Sequence, residues 1–178
     1  MKAPETLESA RLVYRRPAAG DVPGIFARYA ADPEVTRFVG FPAHASLADT
    51  NEFISWSDAE WDRWPAGPLL IRTRENNLLV GSTGLTFETP YRAMTGYVLA
   101  VDSWGKGYAT EALGAMAALA ATVGVRRLYA ICHTGHEQSW RVLEKGGFTR
   151  EGILRRYQVF PNLGTGEPAD VFCYALML

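Results

Sequence analysis

The chain has 178 residues, 48% of them hydrophobic and 21% charged, with a formal net charge of -1 and two cysteines. One soluble globular domain accounts for that length, and a chain of this size buries roughly 70% of its unfolded surface, so neither a disulfide nor a metal is needed to hold it together. The near-neutral balance argues against duplex nucleic acid as a partner, which would require a surplus of Lys and Arg facing the phosphates.

In chain order, residues 11–16 read as a short strand ended by Pro17 and Gly20, and Asp21 can cap a helix through Ala30. Asp32-Pro33-Glu34 restarts a helical turn, Gly40 and Pro42 force a loop, and Ser46 or Asp49 opens a longer helix that stops before Pro65. On that helix Phe53, Ile54, Trp56, Trp61 and Trp64 fall within about 160° of arc, which suits a buried face or, for one or two tryptophans, a ligand wall. From Leu69 the period changes to two. Residues 69–73, 78–88 and 94–101 read as three strands of an antiparallel meander, separated by Glu75-Asn76-Asn77 and Thr89-Pro90-Tyr91.

The pattern then alternates: a helix over 108–123, a strand over 127–133, a helix over 137–145, and strands over 148–160 and 170–176. Gly146-Gly147 closes the second of these helices, and 162–166 is a hairpin tip. No linker or repeat splits the chain. The expectation is a single α/β domain over 1–178, with a mixed, mostly antiparallel seven-stranded sheet carrying helices on both faces. Cys132 and Cys173 sit in apolar strands without CxxC spacing and read as reduced core thiols, and no metal site is expected. The longest apolar run, 112–121, spans only about 15 Å as a helix, so no membrane span is expected. With no apolar h-region after Met-Lys-Ala-Pro-Glu, the reading is a cytoplasmic protein.

The most informative stretch is Val101-Asp102-Ser103-Trp104-Gly105-Lys106-Gly107-Tyr108-Ala109-Thr110-Glu111-Ala112, where a strand runs through two glycines into a long helix. Free N–H groups and the positive dipole end at a helix start suit an anion, although two glycines also suit a plain strand-to-helix turn. A dinucleotide site would want GxGxxG, yet position 110 is Thr, and the acidic residue expected about 20 residues on is missing. The triphosphate loop GxxxxGK(S/T) is absent as well.

The run Trp104 to Ala112 resembles the coenzyme A pyrophosphate loop of the GNAT acetyltransferase superfamily, Gln/Arg-x-x-Gly-x-Gly/Ala, with Gly107 and Ala109 in the last two defined positions. Trp104 stands at the Gln/Arg position, a departure familiar in the Rim-type branch of ribosomal-protein N-terminal alanine acetyltransferases, whose W-G-K-G-Y-A-T-E-A run is similar residue for residue. Residues 11–15 and 32–38 are similar to the opening of that branch. Ser139, Val142, Leu143, Glu144, Lys145, Gly147 and Phe148 resemble its second signature, N-x-x-S-x-x-V-L-E-K-x-G-F. His136 stands where the family has Asn, a residue that helps to bind the coenzyme; His136 either keeps a hydrogen bond there or caps the helix.

The resemblance implies a GNAT-like domain that uses acetyl-CoA to N-acetylate a primary amine, either a peptide N-terminus or a small molecule, by direct attack on the thioester. It implies a coenzyme site at Leu99, Ala100, Val101, Trp104, Gly105, Lys106, Gly107, Tyr108, Ala109, Thr110, His136 and Ser139. Ser139 is the implied acid for the leaving thiolate, with Tyr157 the next donor. Glu88 is the first candidate base, followed by Asp102 and Asp170. At pH 7 roughly a tenth of an α-amine is neutral against under about one in a thousand for lysine, so an α-amine needs much less help. The alternative is a non-catalytic acyl-CoA-binding module. The branch often dimerises, which leaves a homodimer open.

Overall fold

A computed structural model describes residues 2–178, so Met1 of the N-terminal segment lies outside the described residues. The chain opens with β1 (Thr6–Glu8) and β2 (Leu12–Arg15), then α1 (Val22–Ile25), which widens into a π-helical turn over Phe26–Ala30. After the loop over 31–46 come α2 (Leu47–Arg63), β3 (Pro68–Thr73), β4 (Leu79–Thr89), β5 (Arg92–Leu99) and α3 (Tyr108–Thr122). β6 (Arg127–His133), α4 (Glu137–Lys145), β7 (Thr149–Val159) and β8 (Pro168–Met177) complete it.

The sheet has eight strands, not seven, in the order β1-β2-β3-β4-β5-β6-β8-β7. The additional strand is β1, three residues long and too short for a period-two pattern to register. It exists because Leu7 pairs with Tyr14 and packs on the core. All neighbours are antiparallel except β5 and β6.

Helices cover both faces, and strand alternation decides which residues meet which helices. On one face Leu69 and Ile71 of β3 join Leu113 and Met116 of α3 and Leu143 of α4. On the other, Leu70 meets Val22, Ile25, Tyr29 and Ile54. Asp21 does not cap α1 with its side chain; its carboxylate accepts the Ala18 N–H at 2.9 Å and pairs with Arg15 and Arg72. The start of α2 is as expected, with Asp49 accepting the Ser46 N–H at 3.0 Å.

The aromatic stripe of α2 divides. Trp61 is 1% exposed and donates its indole N–H to the Pro68 carbonyl at 2.8 Å, whereas Trp56 is 45% exposed. Trp61→Ala therefore leaves a large cavity and should cost about 3–5 kcal/mol in urea unfolding, against under about 0.5 kcal/mol for Trp56→Ala. Equal losses at the two positions would contradict this division.

Candidate active site

β5 and β6 pair only over Arg92↔Arg127, Ala93↔Leu128 and Met94↔Tyr129. Beyond that point β5 stays on β4 as far as Leu99, and β6 stays on β8 as far as His133. The two strands therefore part and leave a notch. The Ala100 N–H donates to the Val80 carbonyl at 2.9 Å, so the even-numbered peptides of β5 turn toward β4. By the two-residue alternation of an antiparallel ladder, the peptide groups of Tyr97 and Leu99 turn into the notch. A cavity of about 510 Å³ fills it, lined by Thr95 to Leu99, by Ala130 to Cys132, and by the first turns of α3 and α4.

The loop before α3 is shaped for close approach. Gly105 and Gly107 lie at φ of +71° and +79°, where a Cβ is strained, and Gly107 is the residue from which α3 starts. The N–H groups of Tyr108, Ala109 and Thr110 have no partner within the helix and face the mouth of the cavity. The loop is braced from β2. Arg11 donates from Nη1 to the Lys106 carbonyl at 2.8 Å, and its Nε and backbone N–H both reach the Glu111 carboxylate at 2.8 Å. Burial alone would lift the Glu111 pKa; hydrogen bonds from Ser9 and Arg11 outweigh it and hold the carboxyl below its ordinary value. Trp104 spends its indole N–H on the Leu99 carbonyl at 2.8 Å, which fastens the loop to the end of β5.

Across the notch, Ser139 sits in the first turn of α4 with its Oγ 3.2 Å from the Tyr97 hydroxyl. Burial pushes the Tyr97 hydroxyl up to about 12 and the Cys132 thiol up to about 12, so both stay protonated at neutral pH. His136 stacks on Phe38 with ring centroids 4.6 Å apart. Burial, then His133, then Arg37 lower its pKa, so the imidazole is neutral at pH 7.

The structure brings together most of the residues read from the sequence. Leu99, Trp104, Gly105, Gly107, Tyr108, Ala109, Thr110, His136 and Ser139 all line the cavity. Others lie outside it. Ala100 is buried with its N–H spent on Val80, Val101 starts a short 3-10 turn, and the Lys106 side chain is exposed on the loop. Glu88 is held by Arg92 at 2.6 Å and by the Tyr129 hydroxyl. Tyr157 is 54% exposed on the edge strand β7. Asp102 pairs with Arg28 at 2.8 Å and Asp170 with Arg155 at 2.7 Å, and neither is among the lining residues.

Sequence reasoning missed Tyr97, Val35, Phe38 and Val39, which also line the cavity; no tryptophan of α2 does. The alternating pattern of 92–99 placed Tyr97 on a strand but carried no sign that the neighbouring strand departs. The loop that bears Phe38 is fixed by Asn162, whose amide donates to the Thr36 carbonyl at 2.7 Å and the Phe41 carbonyl at 2.8 Å and accepts the Ala43 N–H at 2.8 Å. No local pattern announces a contact across more than a hundred residues.

A parallel strand pair that opens beside a glycine-hinged helix start is the arrangement that the resemblance to coenzyme A-dependent acetyltransferases implies. The chain belongs to the GNAT acetyltransferases: the model of the acetyltransferase (GNAT) domain matches residues 11–149. It is 30% identical to the uncharacterized N-acetyltransferase YoaA of Bacillus subtilis over 179 aligned residues, 96% of each chain. Among solved structures it is similar to RimL, a ribosomal L7/L12 alpha-N-protein acetyltransferase in complex with coenzyme A, with TM-score 0.86, 22% identity and 98% of each chain covered. The microcin C7 self-immunity acetyltransferase MccE, in complex with acetyl-CoA and AMP, gives TM-score 0.86 at 19% identity, covering 99% of this chain and 98% of that one. The protein is thus an N-acetyltransferase that draws its acetyl group from acetyl-CoA. The residues present fit that substrate: N–H groups without a helix partner at the start of α3 suit a diphosphate, and the Tyr97 peptide and Leu99 N–H of β5, turned from β4, suit an amide-bearing arm. Among the described residues no group of three or more His, Cys, Asp and Glu is set to hold a metal, and no helix is long and apolar enough to cross a membrane.

Proposed function

We propose that the enzyme acetylates a primary amine of low pKa, a peptide N-terminus or a small-molecule amine, by direct attack on the thioester, as a member of the Rim-type branch. The observation that carries this reading is the notch between β5 and β6, which joins the start of α3 to Ser139 in one cavity. When bound, acetyl-CoA supplies an activated carbonyl next to a thiol leaving group. The main-chain N–H groups of residues 108–110 hold its diphosphate, and the Tyr97 and Leu99 peptides align its arm. Ser139 holds the proton that the leaving sulfur takes, with the Tyr97 hydroxyl fixing its rotamer. Direct transfer is supported by Cys132, the one cysteine among the described lining residues, whose thiol burial keeps protonated and therefore poorly nucleophilic. No carboxylate lines the cavity among the described residues, so the acceptor has little help in losing its proton, which favours an α-amine over lysine.

The acceptor's place in this reading is the end of the cavity walled by Val35, Phe38, Val39 and His136. Asn162→Ala removes three hydrogen bonds from the loop behind that wall. The expected result is an acceptor KM raised about tenfold with the acetyl-CoA KM unmoved, the scale of one net hydrogen bond lost from positioning. Equal rises in both KM values would detach the loop from acceptor binding. The reading as a whole is tested by thiol release from acetyl-CoA with purified enzyme and a panel of N-terminal peptides, amino compounds and lysine side-chain amines. Release with α-amines ahead of lysine supports it. Tight coenzyme binding without release across the panel sinks it.

A further inference from the structure

Beside the end of the cavity walled by Val35, Phe38, Val39 and His136 stands one exposed guanidinium, that of Arg37, which lies outside the lining and reaches it through Phe38. Arg37 lies over the Phe38 ring at 5.1 Å from its centroid, and its charge is felt at His136. Phe38 in turn stacks on His136 and lies 5.1 Å from His133, so one guanidinium and two imidazoles surround a single ring. Burial holds both imidazoles below the ordinary value, leaving Arg37 as the fixed charge. Among the described residues Arg37 has no carboxylate within ion-pair distance, and no Asp or Glu lines the cavity. The nearby Asp32 is turned back, its Oδ1 accepting the N–H groups of Glu34 and Val35 at 2.8 and 3.3 Å. Arg141 and Lys145 also line the cavity beside α4, and Arg141 is already paired with Glu137 on the same helix.

An ammonium group beyond the reacting amine would therefore enter a partly desolvated space with no anion to receive it and a guanidinium close by. Both desolvation and like-charge repulsion oppose it. A carboxylate or other anion on the same acceptor is desolvated at similar cost, but the guanidinium attracts it instead of repelling it. Resting on the acetyl-transfer reading above, we infer that the enzyme selects its acceptors by charge: it takes amines that carry an anionic group near the reacting nitrogen and discriminates against polycationic amines, with Arg37 as the residue that sets the preference.

The test uses three peptides that share an N-terminal alanine and differ at the second position, Asp, Asn or Lys, assayed by thiol release. The expected order of kcat/KM is Asp, then Asn, then Lys, with about tenfold between the extremes at low salt and a smaller gap at about 1 M salt, where screening reaches contact range. Arg37→Glu should bring the Asp/Lys ratio down at least about fivefold and Arg37→Gln by less, since Arg37 is exposed and neither change disturbs a packed core. A wild-type ratio near one, or a ratio that Arg37→Glu leaves unchanged, overturns the inference. If none of the three peptides is acetylated while acetyl-CoA still binds, the peptide-acceptor reading beneath it has failed, and the selection fails with it.

Discussion

Gly107→Asp is expected to abolish measurable acetyl-CoA binding while leaving the protein folded. Gly107 sits at φ +79° immediately before α3, so any Cβ there costs roughly 1–2 kcal/mol of backbone strain. The new Cβ would point toward the Arg11 guanidinium, 3.3 Å away, rather than into a packed core. The larger effect is charge. A carboxylate about 5 Å from one phosphate charge at an effective dielectric near 20 opposes binding by about 3 kcal/mol, before the second phosphate is counted. Pairing of that carboxylate with Arg11 would also draw the guanidinium from the Lys106 carbonyl, loosening the loop it braces. Titration calorimetry should show at least about a hundredfold loss of affinity. Gly107→Ala, which adds the strain without the charge, should lose about tenfold or less. Wild-type affinity in Gly107→Asp would remove the diphosphate from this loop.

Ser139→Ala is expected to lower kcat about a hundredfold, at the modest end of general-acid contributions, with the acetyl-CoA KM within about threefold of wild type. The Ser139 side chain is small and its helix position does not depend on the hydroxyl, since its backbone N–H is already bonded to the His136 carbonyl at 3.0 Å. Tyr97→Phe should lower kcat by a smaller factor, because it removes the partner 3.2 Å away that orients the serine but not the proton itself. A Ser139→Ala rate within about twofold of wild type would pass the proton to solvent and leave Ser139 a spacer.

Periodicity together with the closing Gly146-Gly147 delimits a strand over 127–133 and a helix over 137–145, which are the bounds of β6 and α4. The helix is bounded by strong local punctuation at its end, Gly146-Gly147. The strand expected over 94–101 stops at Leu99 instead, because the Ala100 N–H is the last that β4 can take before Val101–Ser103 turns. The candidate base fared differently from the coenzyme loop for a related reason. Glu88, Asp102 and Asp170 each looked free at a strand end, yet each is bound to an arginine that the folded chain brings to it.

What the sequence determined by itself was everything set by short-range chemistry: the alternation of strand and helix, the glycine-hinged approach to α3, and the nine-residue run that marks the family. Those features depend on dihedral preferences and hydrophobic period over a few residues, which a chain carries before it folds. Only the tertiary structure decided where β5 leaves β6, that Trp61 is core while Trp56 faces water, that Arg11 braces the Lys106 loop, and that Asn162 holds the wall bearing Phe38. Each of these joins groups far apart in the chain through packing and hydrogen bonds whose partners local pattern cannot name. The same holds for the lack of a carboxylate among the described lining residues, since Glu88, Asp102 and Asp170 are each held elsewhere by an arginine of the folded chain.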